Sequence, residues 1–326
     1  MKRIGSSRWM VAALLVAGAL HPPQAAAQVP ARFYWKPLSN TRAVPVIFDS
    51  ISGNTNPFDP SHTVSSGANV DARLALAGYA HFFPLFGRAV MAAILLPMGQ
   101  ISGDVVVNGK TVTQAADGFG DPMLELDINM IGPRAQLNIP DALRYEPSFS
   151  VDVLADVAFP IGEYSDNQAL NLGQHRWYGR AGLPIIGQLG PWVPGRRTTL
   201  ELLPAVWLFG NNDDYLGKTL ETAPLFQVDG HVTRDLTEHF WASLDVAWYI
   251  GGKATIDGKS GNMLDNVGIG ATLGYEINDN LSFTFGYKST IADKDADDLR
   301  MSGFLVSLVF GWHPLLEGSK RLQGER

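Results

Sequence analysis

Through most of the chain, apolar and polar residues alternate at every second position. In GFGDPMLELDINMIG (residues 118–132), Leu124, Leu126, Ile128 and Met130 share one parity, and Glu125, Asp127 and Asn129 fill the other. The same rhythm sets Phe149, Val151, Val153, Ala155, Val157 and Phe159 against Ser150, Asp152 and Asp156, and Phe240, Ala242, Leu244, Val246, Trp248 and Ile250 against His239, Ser243 and Asp245. Period two is the signature of a strand with one oily and one polar face. Twelve such segments are predicted, at 41–49, 68–83, 86–97, 119–131, 148–160, 175–186, 198–210, 223–234, 239–251, 265–277, 281–290 and 302–312. Most are about twice the length of a globular strand and match a tilted membrane crossing of ~9–11 residues.

The connections carry a second rhythm. Short links follow the second, eighth and tenth strands (Pro84-Leu85, 235–238 and 278–280), whereas those at 50–67, 98–118, 161–174, 211–222, 252–264 and 291–301 are long and polar. Short periplasmic turns alternating with long external loops are expected of an outer-membrane barrel, and an even strand number returns both ends to the periplasm. Two inner links, 132–147 and 187–197, depart from this by being long and rich in Pro and Gly. Phe240 and Trp248 lie on one face, separated by roughly 20 Å of height at ~3.3 Å per residue and ~40° tilt, as aromatic girdles would be. The fold class expected is all-β: a transmembrane antiparallel β-barrel of about twelve strands, with a soluble β-sandwich or periplasmic barrel as the alternative.

Composition narrows the setting. Lys2, Arg3 and Arg8, then the apolar stretch from Trp9 to Leu20, then Ala25-Ala26-Ala27, read as a secretory signal too short to span a membrane. Three segments are therefore expected: a signal peptide at 1–27, the barrel at 28–312 and a polar tail at 313–326. Cleavage removes three bases and no acid, taking the formal charge from −7 to −10. An acidic exported chain is a poor partner for nucleic acid. With no cysteine there is no disulfide, thiolate metal site or thiol nucleophile. The charged fraction, 17%, is below the ~25% of a typical soluble domain.

Parity assigns the lumen. Inward acids are expected at Asp71, Asp121, Glu125, Asp127, Asp152, Asp156, Glu201, Asp229, Asp245 and Glu276, and inward bases at Arg73, Arg176, Arg180 and Lys288. Arg176 and Arg180 fall on the strand beside Asp152 and Asp156, so cross-strand pairs are expected there. These charges either brace a narrow barrel or form an acidic constriction that filters solutes. The same parity turns Tyr79, Met123, Leu154, Leu203, Trp207, Phe209, Leu225, Trp241 and Tyr249 inward. They either fill a small core or form an apolar path, for which Trp207, Phe209, Trp241 and Tyr249 are the candidate contacts.

Other motifs add little chemistry. GKT at 109–111 reads as a turn rather than a phosphate loop, because Gly103 is one residue too distant. The glycines of GIGATLG (268–274) alternate on an inward face, where they leave room in the lumen. DKDADD (293–298) begins like a calcium loop, but Asp298 stands at the required glycine. His231 and His239 bracket a short turn and are expected to face inward near Asp229, as hydrogen-bonded histidines rather than a metal site. No Ser-His-acid set is evident.

GFGDP (118–122), FPIGEY (159–164) and NLGQHRW (171–177) together resemble the outer-membrane family associated with the meta-pathway of phenol degradation, over about residues 40–312. The resemblance implies a barrel through which hydrophobic or aromatic compounds enter, much as in fatty-acid transporters, and carries no catalytic residues. The expectation is a non-enzymatic, cofactor-free channel of the bacterial outer membrane. It would pass small hydrophobic or aromatic compounds passively, with outer-membrane lipid and lipopolysaccharide around it. A lipid-modifying barrel enzyme and a closed structural or adhesin barrel are the alternatives; the oligomeric state is left open.

Overall fold

The computed structural model describes residues 29–107, 109–291 and 298–314. The expected signal peptide, residues 293–297 of DKDADD and the tail beyond Pro314 lie outside them. In chain order the elements are β1 (Arg42–Gly53), β2 (Asn69–Leu85), β3 (Arg88–Val107), β4 (Lys110–Phe119), β5 (Met123–Ile131), a short helix α1 (Ile139–Arg144), β6 (Phe149–Ala158), β7 (Tyr178–Gly182), β8 (Ile185–Gln188) and β9 (Thr198–Phe209). Then come β10 (Asn212–Tyr215), β11 (Lys218–Thr222), β12 (Leu225–Asp235), β13 (Phe240–Gly251), β14 (Ala254–Ile256), β15 (Lys259–Ser260), β16 (Leu264–Asn278), β17 (Leu281–Ile291) and β18 (Met301–Trp312).

Neighbouring strands pair antiparallel from β1 round to β18, which closes on β1 with Arg42 opposite Trp312 and Gly53 opposite Met301. β4 and β5 are one strand interrupted at 120–122, and β7 and β8 are one strand interrupted at 183–184; each break holds a proline that cannot donate to the ladder. The closed sheet is therefore a twelve-strand barrel, with all twelve expected segments in place. Among the described residues no helix is long and apolar enough to cross a membrane; the crossing is made by strands. Closure leaves the sheet without an open edge, which is the condition for β-structure in lipid. The outer face is apolar: Leu124 is 46% exposed, whereas Glu125 behind it is 4% exposed. The protein is thus a bacterial outer-membrane barrel.

The structure differs from the sequence reading at a few points. β2 runs on to Leu85, and the tight turn is Phe86-Gly87 (φ 50° and 77°), the double positive-φ geometry that suits hairpin twist. The segment expected as an external loop at 98–118 instead continues β3 and builds β4, a hairpin standing beyond the membrane, where neither face needs to be apolar. The loops also supply a small sheet, β10-β11-β14-β15. On β2 the faces are reversed: Val70 and Ala72 are buried inside, Asp71 and Arg73 are exposed, and Tyr79 is 39% exposed near Trp312. Asp71 and Arg73 lie at the external end of β2, past the oil, so their charge places no constraint on the face. His239, expected inward, is exposed in the β12–β13 turn.

The two long inner links have a structural reason: they fold over the periplasmic end. Trp192 of the second packs at a tilt against Trp35, ring centroids 4.7 Å apart, and Gln136 of the first donates to the Lys36 carbonyl at 2.7 Å.

Candidate functional site

Residues 29–40 enter the barrel and turn tightly there, Phe33 N donating to the Pro30 carbonyl and Trp35 N to that of Arg32. The positive charges of this plug meet strand carboxylates. Arg32 Nη2 reaches Asp235 Oδ1 at 2.7 Å, with its guanidinium between the rings of Trp35 (4.2 Å) and Trp241 (4.5 Å). Lys36 pairs with Asp152 and, at 3.5 Å, with Asp127. Glu201 accepts from Arg32 N and from Trp35 Nε1, both at 2.8 Å. The Tyr34 hydroxyl lies 3.4 Å from Arg180 Nη2.

The loop between β1 and β2 folds inward from the other end as a cap. Asp59 accepts from Arg176 Nη2 through both oxygens at 3.0 Å. Phe58 joins the cluster of Val70, Ala72, Ile101 and Leu172. His62 packs edge-on against Tyr249 at 5.1 Å, and burial holds its imidazole down to about 4.

Between plug and cap lies a chamber of about 230 Å³. Ile47, Leu74, Leu76, Leu95 and Leu305 supply its apolar wall; Glu125, Arg180, Trp207 and Gln227 face them; Phe33 closes it below and Phe58 above. A second chamber of about 260 Å³ lies toward the periplasm, against Ala80, Phe82, Met91, Trp241 and Glu276. Pro30, Phe33, Ile47 and Leu95 border both, so the plug is the partition between them.

All six candidate lumen charges (Glu125, Asp127, Asp152, Asp156, Arg176 and Arg180) are buried inside the barrel. Arg180 is in register with Asp156 and bonds it at 2.5 Å, reaching Glu125 at 3.4 Å. Arg176 lies just before β7 and is taken by Asp59 of the cap, while Asp152 is met by Lys36, so neither makes the cross-strand partnership expected. Of the aromatic candidates, Trp207 lines the outer chamber, donating to Gln227 Oε1 at 2.8 Å, and Trp241 lines the inner one. Tyr249 is fully buried beneath His62, and Phe209 packs under Arg176 at 4.9 Å, so both support the cap rather than line a chamber. His231 bonds Asp245 at 2.7 Å. Gly270 and Gly274 do make room in the lumen, but it is filled, by Lys288 and the Trp241 ring respectively. Among the described residues no group of three acids or histidines is placed to hold a metal ion.

Arg32, Phe33, Lys36, Asp59 and His62 were not singled out by the sequence. A signal for the first three existed: inward acids outnumbered inward bases, and Arg-Phe-Tyr-Trp-Lys (32–36) begins five residues after the end of the expected leader.

At the outer rim the three short motifs meet. Asp121 of GFGDP accepts from Gly162 N of FPIGEY and from Gln174 N of NLGQHRW, both at 2.8 Å. A Cβ on Gly162 would lie 2.8 Å from the Cα of Gly173, an approach only glycine permits. The glycines and Asp121 thus clasp three loops where strands end. A family described as "Putative MetA-pathway of phenol degradation" matches residues 53–304, which contain this clasp and nearly the whole barrel. The chain belongs to that family. An outer membrane channel from Pseudomonas putida F1 is similar in structure, with TM-score 0.68 at 16% identity over 88% of this chain and 100% of that one. The translocator domain of the autotransporter NalP from Neisseria meningitidis aligns with TM-score 0.46 at 13% identity, over 85% and 89% of the two chains. No curated protein matches in sequence. At 16% identity the likeness to that channel is one of fold.

Proposed function

We propose that this barrel conducts small hydrophobic or aromatic compounds passively across the outer membrane, through the two chambers and past the plug. The observation that carries this reading is the outer chamber. Its walls are predominantly leucine, isoleucine, proline and aromatic, whereas a water-filled pore has a polar lining. Its volume exceeds the ~150 Å³ of an apolar cavity that holds benzene. Trp207 and Trp241 are the proposed solute contacts, one in each chamber. The paired charges hold the strands and plug around the path rather than filter solutes. No nucleotide or gradient-coupling group is invoked; the concentration difference drives flow.

The test is uptake of a labelled aromatic compound at low concentration by cells with and without the protein, with a small sugar as control. Selective loss of aromatic uptake on deletion is expected. In purified form, Trp207→Ala should slow aromatic flux by about fivefold, the equivalent of ~1 kcal/mol of lost aromatic contact, while the barrel stays folded. Equal loss of both solutes on deletion would make this a general pore.

A second reading has its own support. Plug and cap close both ends of the lumen, as in a barrel that serves only as a structural anchor. Such a barrel shows no flux of either solute, and the same experiment separates the two.

A further inference from the structure

The polar groups of the outer chamber are unevenly matched, and the mismatch has a sign. Glu125 lines the chamber at 4% exposed; its Oε2 is 3.4 Å from Arg180, whereas its Oε1 has no donor and its carboxyl lies against that of Asp156, another acceptor. Arg180 is already committed, through Nε, to Asp156 at 2.5 Å. Asp49 also borders the chamber, and the cation that counters it, Lys288, is shared with Asp229 and Asp245. Behind the lining, Asp127 Oδ1, Asp156 Oδ1 and Asp229 Oδ1 are likewise buried without a donor. His62 Nδ1 is buried above the same space, also without a partner. The outer chamber and the wall behind it are therefore richer in carboxylate acceptors than in donors to meet them. Burying a carboxylate oxygen without a donor is costly, so a group that brings both donors and charge is held strongly there.

We propose that the solute favoured by this chamber is a small organic ammonium: a protonated amine on a one-ring or short aliphatic body. The ammonium donates to Glu125 Oε1 with Asp49 as the second carboxylate, and the body lies against Leu74, Leu76, Leu305 and Trp207. A neutral hydrocarbon fits the volume but leaves Glu125 unsatisfied, and a carboxylate adds to the negative excess. This inference rests on the chamber belonging to the solute path proposed above.

The experiment is equilibrium dialysis of the purified full-length barrel in detergent at pH 7 with three probes of one size: benzylamine, benzyl alcohol and benzoate. Benzylamine should bind about tenfold more tightly than benzyl alcohol, with benzoate weakest. Glu125→Gln, which keeps the shape and the acceptor toward Arg180, should remove the preference for benzylamine over benzyl alcohol. Asp49→Asn, a second variant, should halve the preference or more. Equal binding of benzylamine and benzyl alcohol overturns the ammonium assignment and leaves the apolar chamber standing. A preference that survives both substitutions overturns the assignment to Glu125 and Asp49. No binding of any probe overturns both the assignment and the chamber as part of the path.

Discussion

The lumen wall has two unlike arcs. From β18 through β1 and β2 to β3 it presents Leu305, Ile47, Leu74, Leu76, Ala80 and Leu95, with Asp49 among them; from β5 round to β13 it presents Glu125, Asp127, Asp152, Asp156, Glu201, Asp229, Asp235 and Asp245. The plug is built to lie between them. Arg32 and Lys36 turn to the charged arc, and Phe33 borders chambers whose far walls are the apolar arc. One arc holds the plug by charge, and the other leaves open volume for a solute. The difference shows how a narrow barrel can be occupied and still keep a path, because the two tasks fall on opposite walls.

The comparison is broken most severely by deleting residues 29–36. Without the plug the chambers merge and the charged arc loses Arg32 and Lys36, so single-channel conductance in planar bilayers should rise from near zero to that of an open, cation-selective pore. An unchanged conductance would mean that the cap alone seals the lumen. Next in size is Arg180→Met. It leaves Asp156 and Glu125 buried without their cation, and should cost about 3–5 kcal/mol in the urea-unfolding free energy of the barrel in lipid vesicles.

Leu76→Ala is the matching change in the other arc. Because Leu76 already faces open volume, the loss should fall at the low end for a core truncation, about 2 kcal/mol, with an enlarged outer chamber. Its distinguishing readout is faster flux of an aromatic solute, which Arg180→Met does not predict. Equal unfolding costs for the two variants would erase the distinction between the arcs.

The arcs were unequally visible in the sequence. On β5, β6 or β13, acids alternate with apolar residues such as valine, leucine and tryptophan, and lipid forces the acids inward, so parity alone placed Glu125, Asp152, Asp156 and Asp245. On β2 both faces are apolar between Leu74 and Ala80, and period two carries no contrast. Parity was then anchored on Asp71 and Arg73, which stand beyond the oil and face out. β4 was invisible for a related reason: KTVTQAADGF stands clear of the membrane, and no face of it is required to be oily. The plug is the extreme case. Its partners, Asp235, Asp152 and Glu201, lie more than a hundred residues away, and only the unmatched acids hinted that bases from elsewhere were needed.

The cap crosses the seam between the arcs as the plug does, and it gives the smallest expected effect. Asp59 and His62 engage Arg176 and Tyr249 on the charged side, and Phe58 engages Val70 and Ala72 on the apolar side. Burial lowers the His62 pKa from 6.5 to about 4, so the docked loop binds fewer protons than the released one. Docking is therefore complete above about pH 6.5 and weakens as pH falls toward 4, by about 1–2 kcal/mol at pH 5. Limited proteolysis within residues 54–67 should accelerate over that window. His62→Phe preserves the edge-on packing against Tyr249 and removes the proton, so it should flatten the profile between pH 6.5 and 5. A wild-type profile already flat over that range would mean that the apolar contact of Phe58 and the Asp59–Arg176 pair hold the cap by themselves, and that the outer seal belongs to both arcs independently of His62.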